Sequence, residues 1–315
     1  MKLRPSLLLL AAVALLACTE QPAMKPQPGE EPYLSTSAAP VRLALVLSSG
    51  SLRCFAHLGV LRALEAEGIR PDLIVGTSGG AIVGALSASG RGAAELWRMV
   101  AAEDFDFGSA WMNASGDRPR QTVYEFTQSN LRHARIEQFP TAFAAVVTDL
   151  QSGCMKIFNA GGAALAVQAS TGMPGVFAAT PIGGHTYADG ALSSPIPVHA
   201  ARQLGAVRVI AVDVTYPPAD SSIKGLVNRV FQIGLVMTHS LATQEAMHAD
   251  LVIRPLLPAT SQISLRNRVA VMAAGEEATR QALPEIRRLL AKTAPVINAA
   301  GPDARHCEQV PPSGH

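Results

Sequence analysis

The feature that most constrains the fold is an alternation of strand, helix, strand and helix within about fifty residues. The apolar run Leu43–Leu47 is typical of a buried strand. Residues 55–67 repeat apolar side chains at helical spacing and end at Gly68, a residue that commonly terminates a helix. The run "DLIVG" indicates a second buried strand, and "GGAIVGALSASG" a helix of small residues. This alternation predicts a parallel sheet with right-handed crossovers.

The rest of the chain continues the mixed pattern. The runs "AAVVTDL" and "MKIFNA" predict a hairpin-like pair of strands, and "HTYADGAL" a strand that ends in a turn. Two more strands are predicted at "VRVIAVDV" and "DLVIRP", and helices over residues 223–247 and 268–292. No linker follows Pro40, so residues 41–293 are interpreted as one domain.

The N-terminal segment "MKLRPSLLLLAAVALLAC" has the pattern of an export signal. A basic start precedes an apolar run, residues 7–17, that is too short to span a bilayer comfortably. The end of this run resembles a bacterial lipobox, in which Cys18 would be lipidated. Residues 1–17 are then a signal peptide, 18–40 a lipid-attached flexible tether and 294–315 a disordered tail. The alternatives are an ordinary signal peptide cut near Ala17 and an uncleaved anchor.

These features predict a lipoprotein of the bacterial cell envelope. Thr19 follows Cys18 where an aspartate would resemble an inner-membrane retention signal, which favours the outer membrane, facing the periplasm. The formal net charge of +2 gives no indication of a nucleic-acid partner. The other cysteines, Cys54, Cys154 and Cys307, show no metal-ligand spacing, so no metal is expected. We interpret them as isolated small apolar residues, with a disulfide as the alternative.

The stretch "IVGTSGGA" contains the pattern G-x-S-x-G, formed by Gly76, Thr77, Ser78, Gly79 and Gly80. It lies between a predicted buried strand and a predicted helix, which is the setting of a nucleophile elbow. A tight turn there exposes the Ser78 hydroxyl, and the helix N-terminus behind it stabilises developing negative charge. Gly76 and Gly80 avoid side chains that would collide with the adjoining strand or helix. The alternative is an ordinary turn with Ser78 as the N-cap of the helix.

A nucleophilic serine needs a base. Asp189 ends a predicted strand and precedes Gly190, although a D-G turn is also common as a plain β-turn. Of the histidines, His57 lies among apolar neighbours on a predicted helix and is interpreted as a core residue. His185 lies four residues before Asp189 in the turn "GGHT" and is expected to be exposed. A Ser-His-Asp arrangement that uses His185 therefore remains an alternative.

Four motifs in this order resemble a known family. They are "RCFAHLGVL" after the first strand, "GTSGG", "TGMPGVF", and "DGA" followed by a proline-containing turn. Together they resemble the bacterial branch of the patatin-like phospholipases, over residues 41–214 with a weaker similarity to residue 288. The resemblance implies a three-layer α/β/α sandwich around a mostly parallel sheet. It also implies acyl esters of lipids as substrates, and no metal or organic cofactor.

The resemblance further implies a Ser–Asp dyad without a histidine. Ser78 matches the nucleophile of the family, and Asp189 matches its aspartate. The aspartate takes the serine proton directly and returns it to the leaving alcohol. The resemblance implies an oxyanion hole built from the backbone N–H groups of Gly50, Ser51, Leu52 and Arg53.

The loop that would form this oxyanion hole departs from the family pattern G-G-G-x-R-G. When the chain is aligned on Arg53, the three glycine positions of G-x-G-x-x-G are occupied by Ser49, Ser51 and Cys54. Gly50, which lies between Ser49 and Ser51, is the one glycine left in this loop. Backbone N–H donors persist with any residue, but a position with φ above zero costs roughly 1–2 kcal/mol without glycine. We therefore expect an active lipid-ester hydrolase with altered turnover, anchored to the membrane by its N-terminal lipid. A silent lipid-binding or scaffold protein, and a structural protein of the envelope, remain the alternatives.

Overall fold

The computed structural model describes residues 30–36, 41–102, 105, 119–173, 179–215, 226–257 and 264–292. The strands are β1 (Leu43–Leu47), β2 (Leu73–Thr77), β3 (Ala142–Asp149), β4 (Met155–Phe158), β5 (Thr180–Ile182), β6 (His185–Asp189), β7 (Arg208–Val212) and β8 (Leu251–Ile253). The helices are α1 (Phe55–Ala66), α2 (Gly79–Ala88), α3 (Ala93–Ala101), α4 (Pro119–Asn130), α5 (Ala163–Ser170), α6 (Val198–Gln203), α7 (Leu226–Ala246) and α8 (Arg268–Ala291). Short 3-10 helices cover Ser51–Cys54, Ile136–Gln138, Gly190–Leu192 and Leu265–Asn267.

The strands form one eight-stranded sheet in the order β5-β6-β3-β2-β1-β7-β8, with β4 also paired to β3. The pairs β3–β2, β2–β1, β1–β7 and β7–β8 are parallel, and the three pairs that involve β4, β5 or β6 are antiparallel. The central strands are apolar throughout because both of their faces are covered. Leu45 and Leu47 pack on the face that carries α1, α2, α3 and α8. Ala44 and Val46 pack on the opposite face, with α6 and α7. The predicted three-layer α/β/α architecture is thereby confirmed.

The register of β3 explains how two distant parts of the chain meet. Ala145 pairs with Gly76 of β2 and with Phe158 of β4, so β2 and β4 lie on opposite edges of β3. Val147 pairs with a residue of β4 and with Asp189 of β6, so β6 lies on the same edge as β2. Since β2 ends opposite Val146, β6 occupies this edge immediately beyond it. The end of β6 is therefore next to the end of β2.

The ends of the chain are only partly described. Residues 1–17, the predicted lipidation site Cys18 and the predicted tail 294–315 lie outside the described residues. Within the predicted tether, residues 30–36 lie against the domain, where the Tyr33 amide donates to the carbonyl of Ala160 at 2.9 Å. This stretch is thus hydrogen-bonded to the fold. Among the helices that the structure describes, none is long and apolar enough to cross a membrane.

The cysteines differ from the expectation in one respect. Cys54 is free and buried, as an isolated small apolar residue would be. Cys154 is disulfide-bonded, so its interpretation as an isolated residue is wrong. The expectation rested on the wide spacing of the cysteines along the chain, and sequence separation does not determine distance in a folded domain.

Candidate active site

The G-x-S-x-G stretch forms a sharp turn between β2 and α2. Ser78 links the last residue of the strand to the first residue of the helix, with φ 56° and ψ −124°. A serine with this backbone conformation carries strain of order 1–3 kcal/mol. Such outliers persist where the surrounding structure enforces them, and they concentrate at functional sites. The local geometry is that of a nucleophile elbow.

Two glycines make this turn possible by close approach. A Cβ on Gly76 would lie 2.5 Å from the carbonyl oxygen of Gly80. A Cβ on Gly80 would lie 2.2 Å from the carbonyl oxygen of Leu47 in β1. Any side chain would force the strand and the helix apart, so the start of α2 can pack against the sheet only with glycine at these positions.

Ser78 and Asp189 are in direct contact at the ends of β2 and β6. The Ser78 hydroxyl donates to Oδ2 of Asp189 at 2.8 Å. The second carboxylate oxygen of Asp189 accepts from the Ala191 amide at 2.8 Å. The backbone amide of Asp189 donates to the carbonyl of Gly172 at 3.0 Å. Both side chains are almost fully buried, so the expectation that the turn exposes the Ser78 hydroxyl is wrong: the hydroxyl points to Asp189. The carboxylate is therefore held in one orientation, with one oxygen directed at the serine.

Burial changes the basicity of this carboxylate. Burial raises the pKa of Asp189 to about 6, because its effect is larger than that of the hydrogen bonds from Ala191 and Ser78, which lower the pKa. A carboxylate with a raised pKa is a stronger base than an ordinary aspartate and is still ionised at neutral pH. Asp189 can therefore accept the proton of Ser78 without a histidine between them.

The two candidate histidines lie elsewhere. Nδ1 of His185 is 3.1 Å from Oδ2 of Asp149, a buried carboxylate at the end of β3. His57 is fully buried on α1, with Nε2 3.0 Å from the carbonyl oxygen of Ser48, and burial lowers its pKa to about 4. Among the described residues, no histidine hydrogen-bonds to Ser78 or Asp189. The described geometry thus contains a pair and no Ser-His-Asp chain.

The predicted oxyanion loop folds as a 3-10 turn, Ser51–Cys54, directly beside the elbow. The Arg53 amide donates to the carbonyl of Gly50 at 2.9 Å, and its Nε donates to the carbonyl of Val214 at 2.9 Å. The Arg53 amide therefore closes the turn and is not available to an oxyanion. The Ser49 amide is likewise engaged, by the carbonyl of Pro195 at 2.8 Å. The predicted donors at Gly50, Ser51 and Leu52 lie between these two anchored residues.

The three residues that replace glycines in this loop are in different situations. Ser51 has a left-handed backbone, with φ 50°. Cys54 has an ordinary helical backbone, with φ −58°, and fits because its neighbour Gly79 has no side chain. A Cβ on Gly79 would lie 2.7 Å from the Cβ of Cys54 and 3.1 Å from the carbonyl oxygen of Ser51. Ser49 is not among the residues with positive φ. Only Ser51 therefore carries the strain that a missing glycine brings.

A small apolar cavity of about 20 Å³ lies beyond Cys54. Its walls come from α1, α2, α3 and α4 and include Phe55, Ile82, Met99 and Phe126. The lining is apolar throughout and begins beside Gly79, the residue after Ser78. At about 20 Å³ the cavity has room for little more than one water-sized group, so it is a small void in the core and not an acyl-chain pocket.

Two supporting contacts were not predicted from the sequence. The Ser170 hydroxyl accepts from the Ser78 amide at 3.0 Å and donates to the carbonyl of Val146 at 2.6 Å. The hydroxyl of Thr77 donates to the carbonyl of Ser194 at 2.9 Å. Both side chains fix the backbone of the elbow. Neither contact belongs to a local sequence pattern. Ser170 ends a helix of small residues, and Ser194, the partner of Thr77, lies in an irregular loop.

Comparisons with known proteins agree with the resemblance seen in the motifs. The sequence profile of the patatin-like phospholipase family matches residues 45–202. An uncharacterized NTE family protein of Mycobacterium tuberculosis is 32% identical over 179 residues, which are 55% of this chain and 49% of the relative. Patatin-like phospholipase domain-containing protein 6 of Homo sapiens is 32% identical over 182 residues, 55% of this chain and 13% of the relative. This chain thus aligns with about half of the mycobacterial protein and a small part of the human one.

Among solved structures, VipD from Legionella pneumophila aligns with 86% of this chain and 73% of its own, at 15% identity and a TM-score of 0.46. The type III effector ExoU aligns with 79% of this chain and 54% of its own, at 12% identity and a TM-score of 0.40. The family match rests on the sequence and covers half of the chain. It includes both Ser78 and Asp189. This chain therefore belongs to the patatin-like phospholipase family.

Proposed function

We propose that this chain is a serine acyl-ester hydrolase that acts on lipid esters, with Ser78 as the nucleophile and Asp189 as its base. The observation that carries the proposal is the 2.8 Å hydrogen bond from the Ser78 hydroxyl to Asp189, made by a serine in a strained elbow. Family membership supports a lipid substrate.

The proposed reaction has two steps. Asp189 accepts the hydroxyl proton while Ser78 Oγ attacks the ester carbonyl, and the tetrahedral oxyanion forms beside the N-terminus of α2. The alcohol leaves with the proton returned by Asp189, and the acyl group stays on Ser78. A water molecule then gives its proton to Asp189, attacks the acyl-enzyme and releases the fatty acid as the proton returns to Ser78. The oxyanion is stabilised by the amide of Gly79 and by amides of the adjoining loop.

The direct test combines a covalent probe with a substrate series. The mature protein is treated with a fluorophosphonate, which labels activated serines, and assayed on p-nitrophenyl esters of increasing acyl length and on phosphatidylcholine vesicles. We expect labelling at Ser78 and turnover of at least one ester class. Wild-type protein that is neither labelled nor active on any ester contradicts the hydrolase.

A silent lipid-binding protein is the second candidate, and the loop is the observation that favours it. Ser51 has a strained backbone and Cys54 a side chain where the family pattern has glycine. Loss of one oxyanion donor typically costs 10²–10³ in rate. A silent protein would bind phosphatidylcholine vesicles or a fatty acid without turnover and without reacting with the fluorophosphonate.

We also propose that the chain is a lipoprotein of the bacterial envelope, anchored through Cys18. The support is the sequence alone: a basic start, a short apolar run and a lipobox-like end. The change Cys18→Ser should release the protein from the membrane fraction or leave the precursor uncleaved. Membrane attachment that is unchanged in this variant contradicts a lipid anchor.

A further inference from the structure

We infer that Glu245 of α7 is a positioning residue for the reaction. It fixes a short segment, residues 194–196, that connects the nucleophile elbow, the turn after Asp189 and the oxyanion loop. This role rests on the proposed function, since it concerns the geometry of the same site. Glu245 touches neither Ser78 nor Asp189 and acts through the 194–196 segment.

Glu245 holds both ends of the 194–196 segment. Its Oε1 is hydrogen-bonded to the hydroxyl of Ser194, and its Oε2 accepts from the amide of Ile196 at 2.9 Å. The side chain is buried, with 3% of its surface exposed. A buried carboxyl that makes two hydrogen bonds to one three-residue segment restrains the position and the direction of that segment.

The 194–196 segment in turn binds all three parts of the site. The carbonyl of Ser194 accepts from the hydroxyl of Thr77, the residue before the nucleophile, at 2.9 Å. The amide of Ser194 donates to the carbonyl of Gly190, which follows Asp189, at 2.8 Å. The carbonyl of Pro195 accepts from the amide of Ser49, at the start of the oxyanion loop, at 2.8 Å. The nucleophile, the base and the oxyanion loop thus share one backbone anchor.

The protonation state of Glu245 suits a residue that holds the 194–196 segment through hydrogen bonds without carrying a charge. Burial raises the pKa of Glu245 to about 8, so the side chain is the acid at neutral pH. Its place in the last turn of α7, where the helix dipole is negative, also disfavours the carboxylate. The Ser194 hydroxyl donates to Oε1, and the Ile196 amide donates to Oε2. Because a hydroxyl rotates and can equally accept, a hydrogen-bond donor in place of Oε1 keeps the contact with Ser194. A glutamine can reproduce both contacts, with its carbonyl toward Ile196 and its NH₂ toward Ser194.

The consequence is measurable in the chemistry. Without Glu245, the 194–196 segment keeps the packing of the buried Ile196 side chain but loses the two hydrogen bonds that orient Ser194 and Ile196. Small misplacements of reacting groups by remote changes can lower rates by up to about 10². Glu245 affects the alignment of the reacting groups, so ground-state binding of the ester should change little. We therefore expect the loss to fall on kcat and not on KM.

The experiment compares Glu245→Leu and Glu245→Gln in the mature protein. The readouts are kcat and KM on a p-nitrophenyl ester, the rate of fluorophosphonate labelling at Ser78, and the thermal midpoint. Gln244→Leu is the matched surface control, since Gln244 is the exposed neighbour on the same helix. Ile286→Ala is the stability control, because Ile286 is buried on α8 on the opposite face of the sheet.

We expect Glu245→Leu to lower kcat and the labelling rate roughly ten- to hundredfold, with KM changed by less than about threefold. Glu245→Gln should stay within about threefold of the wild type, and Gln244→Leu should match it. If Glu245→Leu does not fold, Thr77→Val is the second variant, and it should lower kcat roughly three- to tenfold by removing one link to the segment.

Three outcomes overturn the role. In the first, the wild type is reactive and Glu245→Leu, or Thr77→Val in its place, is equally reactive. In the second, Ile286→Ala at the same thermal midpoint loses as much kcat as Glu245→Leu. In the third, Glu245→Gln is as impaired as Glu245→Leu. A wild type that neither labels nor turns over any ester is a different result, since it removes the proposed hydrolase and this role together.

Discussion

Ser78 and Ser51 are the two non-glycine residues with a left-handed backbone in the part of the chain that the structure describes, with φ 56° and 50°. They lie on the two sides of one site, the elbow and the oxyanion loop. The strain at Ser78 has a chemical reason, because the hydroxyl must leave the turn and reach Asp189. The structure shows no chemical reason for the strain at Ser51, because a glycine would adopt the same backbone conformation without this cost. The strain at Ser78 thus accompanies a contact that the chemistry needs, whereas the strain at Ser51 lies at a position where the family pattern has glycine.

The two regions also differ in how they tolerate side chains. In the elbow, Gly76 and Gly80 sit against backbone atoms, which cannot move aside. In the loop, Cys54 replaces a glycine of the family pattern and is accommodated because Gly79 of the elbow offers the space. The elbow therefore has no room for a side chain at Gly76 or Gly80, whereas the loop accommodates the side chain of Cys54.

The change with the largest expected effect is Ser78→Ala. Removing the nucleophile should lower kcat by about 10³-fold or more, because the other groups cannot replace the covalent step. Thermal unfolding should be nearly unchanged, since alanine keeps the Cβ and the backbone. Intact-mass analysis after fluorophosphonate treatment should show no adduct. Turnover equal to that of the wild type would exclude Ser78 as the nucleophile.

Asp189→Asn should be nearly as damaging to activity, because the pair acts as a unit. In the wild type, kcat/KM should rise with pH through about 6, as the base loses its proton. Measuring both variants on one ester series checks the equivalence. An Asp189→Asn enzyme with more than about a tenth of wild-type kcat would require a different base.

The same substitution should stabilise the fold at neutral pH. Since burial raises the pKa of Asp189 from 3.8 to about 6, the folded state binds the proton more tightly than the unfolded state. Stability is therefore lost as the pH rises from about 4 through 6, by roughly 3 kcal/mol. Asparagine does not titrate, so denaturant unfolding should show a gain of about 1–3 kcal/mol at pH 7.5 and little difference near pH 4. A gain that is independent of pH would contradict the burial of the charge.

The comparison between the serines is tested at Ser51. Ser51→Gly should relieve about 1–2 kcal/mol of backbone strain and lose about 0.4–1 kcal/mol through the freer unfolded chain. The net gain in unfolding free energy should lie between about 0 and 1.6 kcal/mol, with kcat raised by a few-fold if the loop amides then align better. Ser51→Ala is the control, because it removes the hydroxyl and keeps the strain. A slower Ser51→Gly enzyme would mean that the hydroxyl takes part in the site.

The triple change Ser49→Gly, Ser51→Gly, Cys54→Gly restores the three glycines of the family pattern. We expect the gain in kcat to come from Ser51, since Ser49 and Cys54 lack the left-handed backbone that glycine would relieve. Cys54→Gly should instead lower stability by about 1–3 kcal/mol, because it removes a buried side chain beside the apolar cavity. Kinetics and unfolding of the three single variants, measured beside the triple variant, separate these contributions.

The sequence predicted the local parts of this site well. The elbow is a local structure, in which the spacing of Gly76, Ser78 and Gly80 after an apolar strand determines the turn. The sheet, its order of strands and helices and the pairing of β3 with β4 also follow from periodicity and turn residues. The helices α3, α4 and α6 were not predicted, and neither was β5, which has only three residues and includes a proline.

The contacts between distant segments could not be predicted in this way. Asp189 was selected by resemblance, and its contact with Ser78 depends on β6 continuing the edge where β2 ends. Ser170 and Glu245 have no local pattern, because their roles come from what the fold places beside them. Glu245 in particular lies on a helix whose sequence gives no indication that one of its carboxyls is buried.

The smallest effect is expected at His185, and it decides between a pair and a triad. His185 is half exposed and bonded to Asp149, which is held by the amide of Gln151 at 2.9 Å. The change His185→Gln should leave kcat within about twofold to threefold of the wild type, because the described contacts do not connect this ring to Ser78. The kcat/KM profile should keep its rise through about pH 6, because that rise belongs to Asp189. Asp149→Asn is the matched control for the pair, and it should alter stability at the edge of the sheet without lowering kcat more than His185→Gln does. A His185→Gln enzyme as inactive as Asp189→Asn would mean that the histidine moves to the serine during the reaction, and the Ser-His-Asp arrangement would replace the dyad.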